Sequence, residues 1–284
     1  MSKIFEALKK AGIEGGESLP PLIAEELAVS EAAPAAGHPA PAPQAAARPT
    51  SIQAVRIRVP ANAPVLPFES AHSRPGEQYR IIRTKILQHP RQPRMLVVSS
   101  AGSGDGKTVS AINVAASLAL RSDVNVLLVD ADFRRSSIGG ILGLPPEPGL
   151  ADVLTGACSL DQAVTQVEQL PNLYVLPSGK LRSNPAELLD SAQWRSACAA
   201  FRERFQFVVL DAPPMGAVAD YDLIQVACDG VIFVARPDHT DRTLCLKALA
   251  GMPKEKLVGV LINCFDGWFL WKTNDYYYYS GSRS

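Results

Sequence analysis

Short apolar runs alternate with amphipathic stretches from Arg94 onward. The runs are Met95–Ser100, Val124–Asp130, Leu173–Leu176, Phe207–Asp211, Gly230–Ala235 and Val258–Asn263. Helical patterns lie between them, including Thr108–Arg121, Ser191–Phe205 and Thr240–Ala250. Continuous Val, Leu and Ile runs are typical of parallel strands that helices cover on both faces. The pattern therefore predicts an α/β fold with a doubly wound, mainly parallel sheet, whose ligands bind at the carboxyl ends of the strands.

The first 73 residues lack this alternation. Residues 15–73 are rich in Ala, Pro and small polar residues, which predicts a disordered linker outside the fold. Residues 1–14 form a short amphipathic segment with Ile4, Phe5 and Leu8 on one side. This segment fits a docking element and a frayed terminus equally well. We expect the folded domain to span residues 74–265, followed by a tail over residues 266–284.

The composition limits which binding partners and which cellular compartment are expected. The formal net charge is zero, so no overall basic field attracts nucleic acid, and no nucleic-acid partner is expected. The five cysteines include no CxxC pair, which argues against a disulfide framework or a zinc site and favours a reducing cytosol. No apolar run approaches the ~20 residues that a membrane-spanning helix needs.

The loop after the first apolar run has the spacing of a phosphate-binding P-loop. It reads AGSGDGKT over residues 101–108, with Ala101 where the usual motif has Gly. Glycines let backbone N–H groups converge on phosphate oxygens, Lys107 neutralises the β- and γ-phosphates, and the Thr108 hydroxyl can bind magnesium. We therefore predict an ATP and Mg²⁺ site. Its predicted nucleotide-binding residues are Gly102, Ser103, Gly104, Asp105, Gly106, Lys107, Thr108 and Val109.

Three aspartates follow two other apolar runs. Asp130 and Asp132 are two positions apart where an extended chain leaves the sheet, so their side chains should point the same way. One can help to hold magnesium and the other can accept a proton from an attacking hydroxyl, although a pair of solvated turn carboxylates is an alternative. Asp211 ends a later run just before two prolines, as a Walker B acid does.

Together these motifs resemble those of the bacterial tyrosine kinase (BY-kinase) family of capsule and exopolysaccharide systems. The resemblance extends from Glu77 to the C-terminus. Its segments are the P-loop, the DxDxR motif that ends at Arg134, the DxPP motif that begins at Asp211, Asn184–Leu189, the ExxRxxR motif of Glu77, Arg80 and Arg83, and the tyrosine cluster Tyr276, Tyr277, Tyr278 and Tyr279.

The resemblance implies a role for each of these residues. It implies catalytic roles for Lys107, Asp130, Asp132 and Arg134. It implies magnesium binding by Thr108, Asp130 and Asp211, and adenine binding near Asn263. It implies that Glu77, Arg80 and Arg83 form an oligomer interface, and that Tyr276, Tyr277, Tyr278 and Tyr279 are phosphorylated by a neighbouring subunit.

The resemblance also implies a biological setting. The protein would be a cytoplasmic, ATP-dependent tyrosine autokinase that forms a homo-oligomer and regulates polysaccharide polymerisation and export. It would lie at the inner membrane through a transmembrane polysaccharide co-polymerase that activates it. From the residues alone, the ExxRxxR motif also fits a solvated helix face, and the tyrosines also fit a low-complexity tail.

Two other functions share these motifs. A switch ATPase of the ParA/MinD type has the same architecture, but that group carries a signature lysine at the position of Gly102. A non-catalytic nucleotide-binding regulator of polysaccharide assembly is the second alternative. The complete set of Lys107, Asp130, Asp132 and Asp211 argues against it.

Overall fold

A single eight-stranded sheet organises the described part of the chain. The computed structural model describes residues 52–59, 64–65, 74–181 and 184–264. The strands are β1 (Gln53–Val55), β2 (Met95–Ser100), β3 (Val126–Asp130), β4 (Thr165–Val167), β5 (Leu173–Leu176), β6 (Phe207–Asp211), β7 (Gly230–Ala235) and β8 (Leu257–Ile262). Their order across the sheet is β1-β4-β5-β3-β6-β2-β7-β8. The pairing of β4 with β5 is antiparallel, and the other pairings between described strands are parallel.

Helices connect these strands and cover the sheet. They are α1 (Arg74–Leu87), α2 (Lys107–Ala119), α3 (Ile138–Leu142), α4 (Leu150–Leu154), α5 (Leu160–Ala163), α6 (Pro185–Leu189), α7 (Ala192–Arg204), α8 (Asp220–Ala227) and α9 (Arg242–Gly251), with a 3₁₀ turn at Lys254–Lys256. Within the described part of the chain, no helix has both the length and the apolarity needed to cross a bilayer.

The core has two apolar layers, one on each face of the sheet. Because successive strand residues face opposite sides, Met95 and Val97 of β2 join the layer that contains α7, whereas Leu96 and Val98 join the layer that contains α2. All four side chains are fully buried. The predicted α/β fold with a mainly parallel sheet is confirmed, and each predicted apolar run forms a strand, with ends that shift by up to two residues.

The strand order brings the predicted chemistry to one place. Strands β3, β6 and β2 are adjacent, and Asp211 of β6 lies opposite Asp130 of β3 and Val98 of β2. The P-loop follows β2 directly. The carboxyl ends of these three strands therefore meet at the start of α2, as expected for ligand binding in a parallel sheet.

The predicted linker over residues 15–73 is wrong at its C-terminal end. Residues 52–59 and 64–65, here called the strap, pack on the sheet: β1 pairs with β4, and Ile57 and Val65 are only 4% and 0% exposed. The strap has a strand periodicity that its Ala/Pro-rich surroundings obscure. Apolar residues Val55, Ile57 and Val59 alternate with arginines.

Polar contacts also fix the strap. The side chain of Gln169 clamps the backbone of Ile57, since its Oε1 accepts from the Ile57 N–H at 3.1 Å and its Nε2 donates to the Ile57 carbonyl at 2.8 Å. The Arg58 N–H donates to the Leu142 carbonyl at the end of α3, at 3.1 Å. Asn113 of α2 donates to the carbonyl of Pro64 at 2.9 Å. The strap thus contacts two helices whose first turns lie at the site described below.

We expect Ile57→Ala to lower the free energy of unfolding by about 2 kcal/mol, because it removes a buried side chain and leaves a cavity under the strap. Ile81→Ala is the matched control, since Ile81 is 41% exposed and its truncation should change stability by less than about 0.5 kcal/mol. Urea unfolding of both variants measures the difference. Equal effects would show that the strap does not pack on the core.

Candidate active site

The P-loop backbone requires glycine at two positions. Gly104 and Gly106 have φ angles of 87° and 88°, in the left-handed region that other residues rarely adopt. A Cβ atom at Gly106 would also lie 2.0 Å from Nδ2 of Asn263. The alternation of Gly with Ser103 and Asp105 therefore sets the turn that leads the chain from β2 into α2.

Lys107 is the first residue of α2 and lies among the three aspartates. Its Nζ is 2.7 Å from Oδ2 of Asp132 and 3.8 Å from Oδ1 of Asp211, and its side chain is 11% exposed. Burial by itself lowers the pKa of Lys107, but the charges of Asp211, Asp132 and Asp130 and the hydrogen bond to Asp132 outweigh it, so the pKa is raised. The ammonium group is thus charged and placed where anions bind.

Asp130 is held by the turn that follows β3. Its Oδ2 accepts hydrogen bonds from the Ser136 hydroxyl and from the N–H groups of Ser137 and Ile138, each at 3.1 Å. Its Oδ1 is buried and has no hydrogen-bond partner. Burial raises the pKa of Asp130, against the effect of these hydrogen bonds. The side chain is therefore fixed in place while one oxygen is left for another ligand.

Asp211 is fully buried beside the P-loop. Its Oδ2 accepts a hydrogen bond of 2.6 Å from the Thr108 hydroxyl, and its Oδ1 has no hydrogen-bond partner. Burial raises the pKa of Asp211 to about 7, although the charge of Lys107 lowers it. The close pairing with Thr108 joins two residues that were predicted to bind magnesium.

These residues fit a magnesium ion bound together with phosphates. Three buried carboxylates share one lysine, so the site has an excess of negative charge when all are ionised, and two of its carboxylate oxygens have no hydrogen-bond donor. Among the described residues, no group of three or more His, Cys, Asp or Glu side chains could hold a metal by itself. Mg²⁺ commonly binds through one or two carboxylates, water and substrate phosphates, and the donor set of Thr108, Asp130 and Asp211 suits that mode.

Asp132 and the two arginines that follow it have separate positions. Asp132 is 2% exposed, and its Oδ1 accepts from the Arg135 N–H at 3.0 Å while its Oδ2 pairs with Lys107. Arg134 points elsewhere and makes a two-bond ion pair with Asp220 at the start of α8, at 2.8 and 3.2 Å. The Arg135 guanidinium instead contacts the Ser103 hydroxyl of the P-loop. The structure therefore places the Arg135 guanidinium beside the phosphate-binding loop, whereas Arg134, for which a catalytic role is predicted, bonds to α8.

The loop between β7 and α9 also contacts the P-loop, which the sequence patterns did not predict. The Thr240 hydroxyl donates to Oδ1 of Asp105 at 2.7 Å, and Arg236 donates to the Gly104 carbonyl at 3.4 Å. Asn263, after β8, donates through Nδ2 to the Asp105 carbonyl at 2.9 Å. No motif links these positions in sequence, so only the fold reveals the contacts.

The other predicted residues that the structure describes lie on α1 and α2. On α1, Arg80 pairs with Glu77 at 2.8 Å, and Arg83 donates to the Ser117 carbonyl of α2 at 3.2 Å. Val109 lies in the first turn of α2, half-buried. The tyrosine cluster at 276–279 and the segment 1–14 lie outside the described residues.

The sequence is similar to those of known proteins over most of the described region. A model of the AAA domain family matches residues 94–241. The chain is 36% identical to the tyrosine-protein kinase YwqD of Bacillus subtilis over 212 residues, which cover 72% of this chain and 86% of YwqD. It is 32% identical to the tyrosine-protein kinase CpsD of Streptococcus agalactiae over 190 residues, which cover 66% of this chain and 82% of CpsD.

A solved structure shows the same likeness in three dimensions. The kinase domain of the Escherichia coli tyrosine kinase ETK superimposes with a TM-score of 0.62 and 26% sequence identity, covering 72% of this chain and 82% of that domain.

The raised pKa of Asp211 predicts how stability depends on pH. Between the usual aspartate pKa of 3.8 and its folded value of about 7, the folded protein keeps a proton that the unfolded chain releases. The stability of the metal-free protein should therefore fall as pH rises through this window, by on the order of 2 kcal/mol between pH 5 and 7. Asp211→Asn cannot titrate and should flatten this decline.

Urea unfolding in EDTA at about pH 5, 6 and 7 measures this dependence for both proteins. Asp229→Asn is the control, because the pKa of Asp229 is lowered by its hydrogen bonds with Arg202 and with the Met95 and Arg94 N–H groups, against the opposing effect of burial. That control should keep the decline. A decline of the same size in the Asp211→Asn variant would rule out Asp211 as its source.

Proposed function

Because the chain belongs to the bacterial tyrosine kinase family, we propose that it transfers the γ-phosphate of ATP to tyrosine hydroxyls, including those of Tyr276, Tyr277, Tyr278 and Tyr279. The observation that carries this proposal is the contact of Lys107 with Asp132 and Asp211 at the P-loop. Phosphoryl transfer to an alcohol or phenol needs a cation on the phosphates and a base on the hydroxyl. Both groups are present here, within one hydrogen bond of each other.

We propose that ATP binding moves Lys107 from Asp132 to the phosphates. The ammonium group of Lys107 bonds to Oδ2 of Asp132 at 2.7 Å. The β- and γ-phosphates carry more negative charge than one carboxylate, so they compete for Lys107 when they enter the P-loop. When the Lys107 ammonium group binds the phosphates instead, Oδ2 of Asp132 loses its hydrogen bond and becomes free. ATP binding and release of the base are then one event.

Asp132 is the base in this proposal. Its Oδ1 stays fixed by the Arg135 N–H, while the freed Oδ2 accepts the tyrosine proton as the phenolic oxygen attacks the γ-phosphorus. The bond between the γ-phosphorus and the oxygen that bridges it to the β-phosphate breaks in the same step, and ADP leaves. Thr108, Asp130 and Asp211 would hold magnesium. Magnesium held by these residues would neutralise charge on the phosphates and help to orient them. The Arg134–Asp220 ion pair supports this arrangement by anchoring the loop after β3 to α8.

The proposal also covers the location of the protein, its membrane partner and the contact between its subunits. The YwqD and CpsD relatives are named tyrosine-protein kinases, and the family resemblance relates such kinases to a transmembrane activator of polysaccharide assembly. We therefore place the protein in the cytoplasm, at the inner membrane through that activator. Glu77, Arg80 and Arg83 would form the contact between subunits. Since Arg80 and Arg83 already bond within the chain, subunit contact must exchange or extend those bonds.

We expect Lys107→Met to reduce autophosphorylation by about 10²-fold or more, because it keeps the length of the side chain and removes the charge that stabilises the phosphates. Lys247→Met is the matched control, since Lys247 is an exposed lysine on α9. Anti-phosphotyrosine detection on the purified proteins measures activity, and their melting temperatures check the fold. Near-normal phosphorylation of the Lys107 variant would exclude the proposed role.

Transfer between subunits predicts a second result. A Lys107→Met chain that keeps its tyrosines is mixed with an active chain in which Tyr276, Tyr277, Tyr278 and Tyr279 are all Phe. Only transfer between chains can phosphorylate the tyrosines of the inactive chain, so we expect phosphotyrosine on it, detected by mass. The inactive chain incubated alone is the control. Absence of phosphotyrosine on the inactive chain in the mixture would reject transfer between subunits.

A further inference from the structure

Asp105 is a buried acid within the phosphate-binding loop. It is 1% exposed, and the proposed reaction does not use its carboxylate. A fixed negative charge in this loop opposes the binding of phosphates, because like charges repel more strongly where water is excluded. The charge of Asp105 is therefore unfavourable for ATP binding, unless its hydrogen bonds also keep the loop in the conformation that binds phosphates.

Both carboxylate oxygens of Asp105 are hydrogen-bonded within the chain. Oδ2 accepts from the Gly102 N–H at 3.0 Å, which closes the P-loop on itself. Oδ1 accepts from the Thr240 hydroxyl at 2.7 Å. That hydroxyl also accepts a hydrogen bond from the Arg236 N–H at 2.8 Å, which leaves its own proton directed at Asp105. The carboxylate thus joins the start of the P-loop to the loop between β7 and α9.

The position of Asp105 makes this connection effective. It lies between Gly104 and Gly106, which both have left-handed backbones. Glycines allow many alternative conformations, so a loop built from them needs other contacts to remain in one shape. Asp105 provides them at three points: the two carboxylate bonds, and its carbonyl, which accepts from Asn263.

We propose that Asp105 and Thr240 form a clasp that holds the P-loop in the shape that receives the β- and γ-phosphates. Thr240 is then a positioning residue for ATP, although it lies outside every nucleotide-binding motif. This inference rests on the proposed function, since it assigns the loop to ATP. Without the clasp, a smaller fraction of molecules has the competent loop, and the apparent affinity falls by that fraction. Once ATP is bound, the transfer step is unchanged.

Thr240→Val removes the hydroxyl and keeps the shape of the side chain. We expect it to raise both the dissociation constant of Mg-ATP and KM by about tenfold, with kcat within about twofold of the wild type, as for a lost hydrogen bond to a charged group. Thr240→Ser keeps the hydroxyl and should restore near-normal values. Thr243→Val makes the same change at an exposed position of α9 and is the control. Calorimetry on the full chain gives the dissociation constant, and steady-state autophosphorylation gives KM and kcat.

Asp105→Ala separates a clasp from a simple charge effect. If Asp105 acts only through its charge, its removal strengthens Mg-ATP binding, whereas loss of a clasp weakens it. The clasp also predicts that the double variant Asp105→Ala with Thr240→Val binds no more weakly than Asp105→Ala alone, because each change breaks the same bond. Melting temperatures verify that each variant is folded.

Each result has a definite meaning for the clasp. Tighter binding by Asp105→Ala, fully additive effects in the double variant, unchanged binding by Thr240→Val, or a fall in kcat with KM unchanged would each overturn it. A kinase failure looks different. If labelled γ-phosphate is released without reaching tyrosine while Thr240→Val still weakens Mg-ATP binding tenfold, the clasp stands and the proposed kinase function is rejected.

Discussion

The burial of three carboxylates around one lysine constrains the whole site. Asp130 and Asp211 are paired in register across β3 and β6, and Asp132 follows two residues after Asp130, so the sheet itself brings these charges together. Lys107 balances only part of them. Burial raises the pKa of Asp130 and of Asp211, and the charges of the neighbouring carboxylates raise both further. Clusters of buried carboxylates with raised pKa values are typical of functional sites.

Hydrogen bonds and an ion pair from the surrounding structure hold the charged side chains and the P-loop in place. The turn after β3 gives Asp130 three hydrogen bonds, and the Arg134–Asp220 ion pair ties that turn to α8. On the other side, Thr240 and Asn263 hold the P-loop through Asp105. Asp130 and the P-loop are thus each held by hydrogen bonds to a different part of the fold. Preorganisation of this kind places charge where the transferring phosphate needs it, without rearrangement at the moment of reaction.

The central part of this architecture could be predicted from the sequence, because local chemistry determines it. Buried parallel strands need continuous apolar runs, and the P-loop needs its glycines, so β2, β3 and β6 and their terminal residues were clear. The edge strand β1 and its neighbour β4 have three residues each, too few to stand out. In β1, two of the three residues are exposed, and the strand lies within an Ala/Pro-rich region. The partners of Arg134 and Asp105 are distant in sequence, and no local pattern indicates which arginine or threonine the fold brings near.

The fate of the γ-phosphate tests the central claim most directly. ATP labelled in that phosphate is incubated with the purified full chain and magnesium, and the label is divided into free phosphate and phosphate bound to tyrosine. In the proposed mechanism Lys107 positions the phosphates and Asp132 activates a phenol rather than water, so most transferred label should be on tyrosine of the chain itself. Label that appears as free phosphate with none on protein would contradict the account and would favour a switch ATPase.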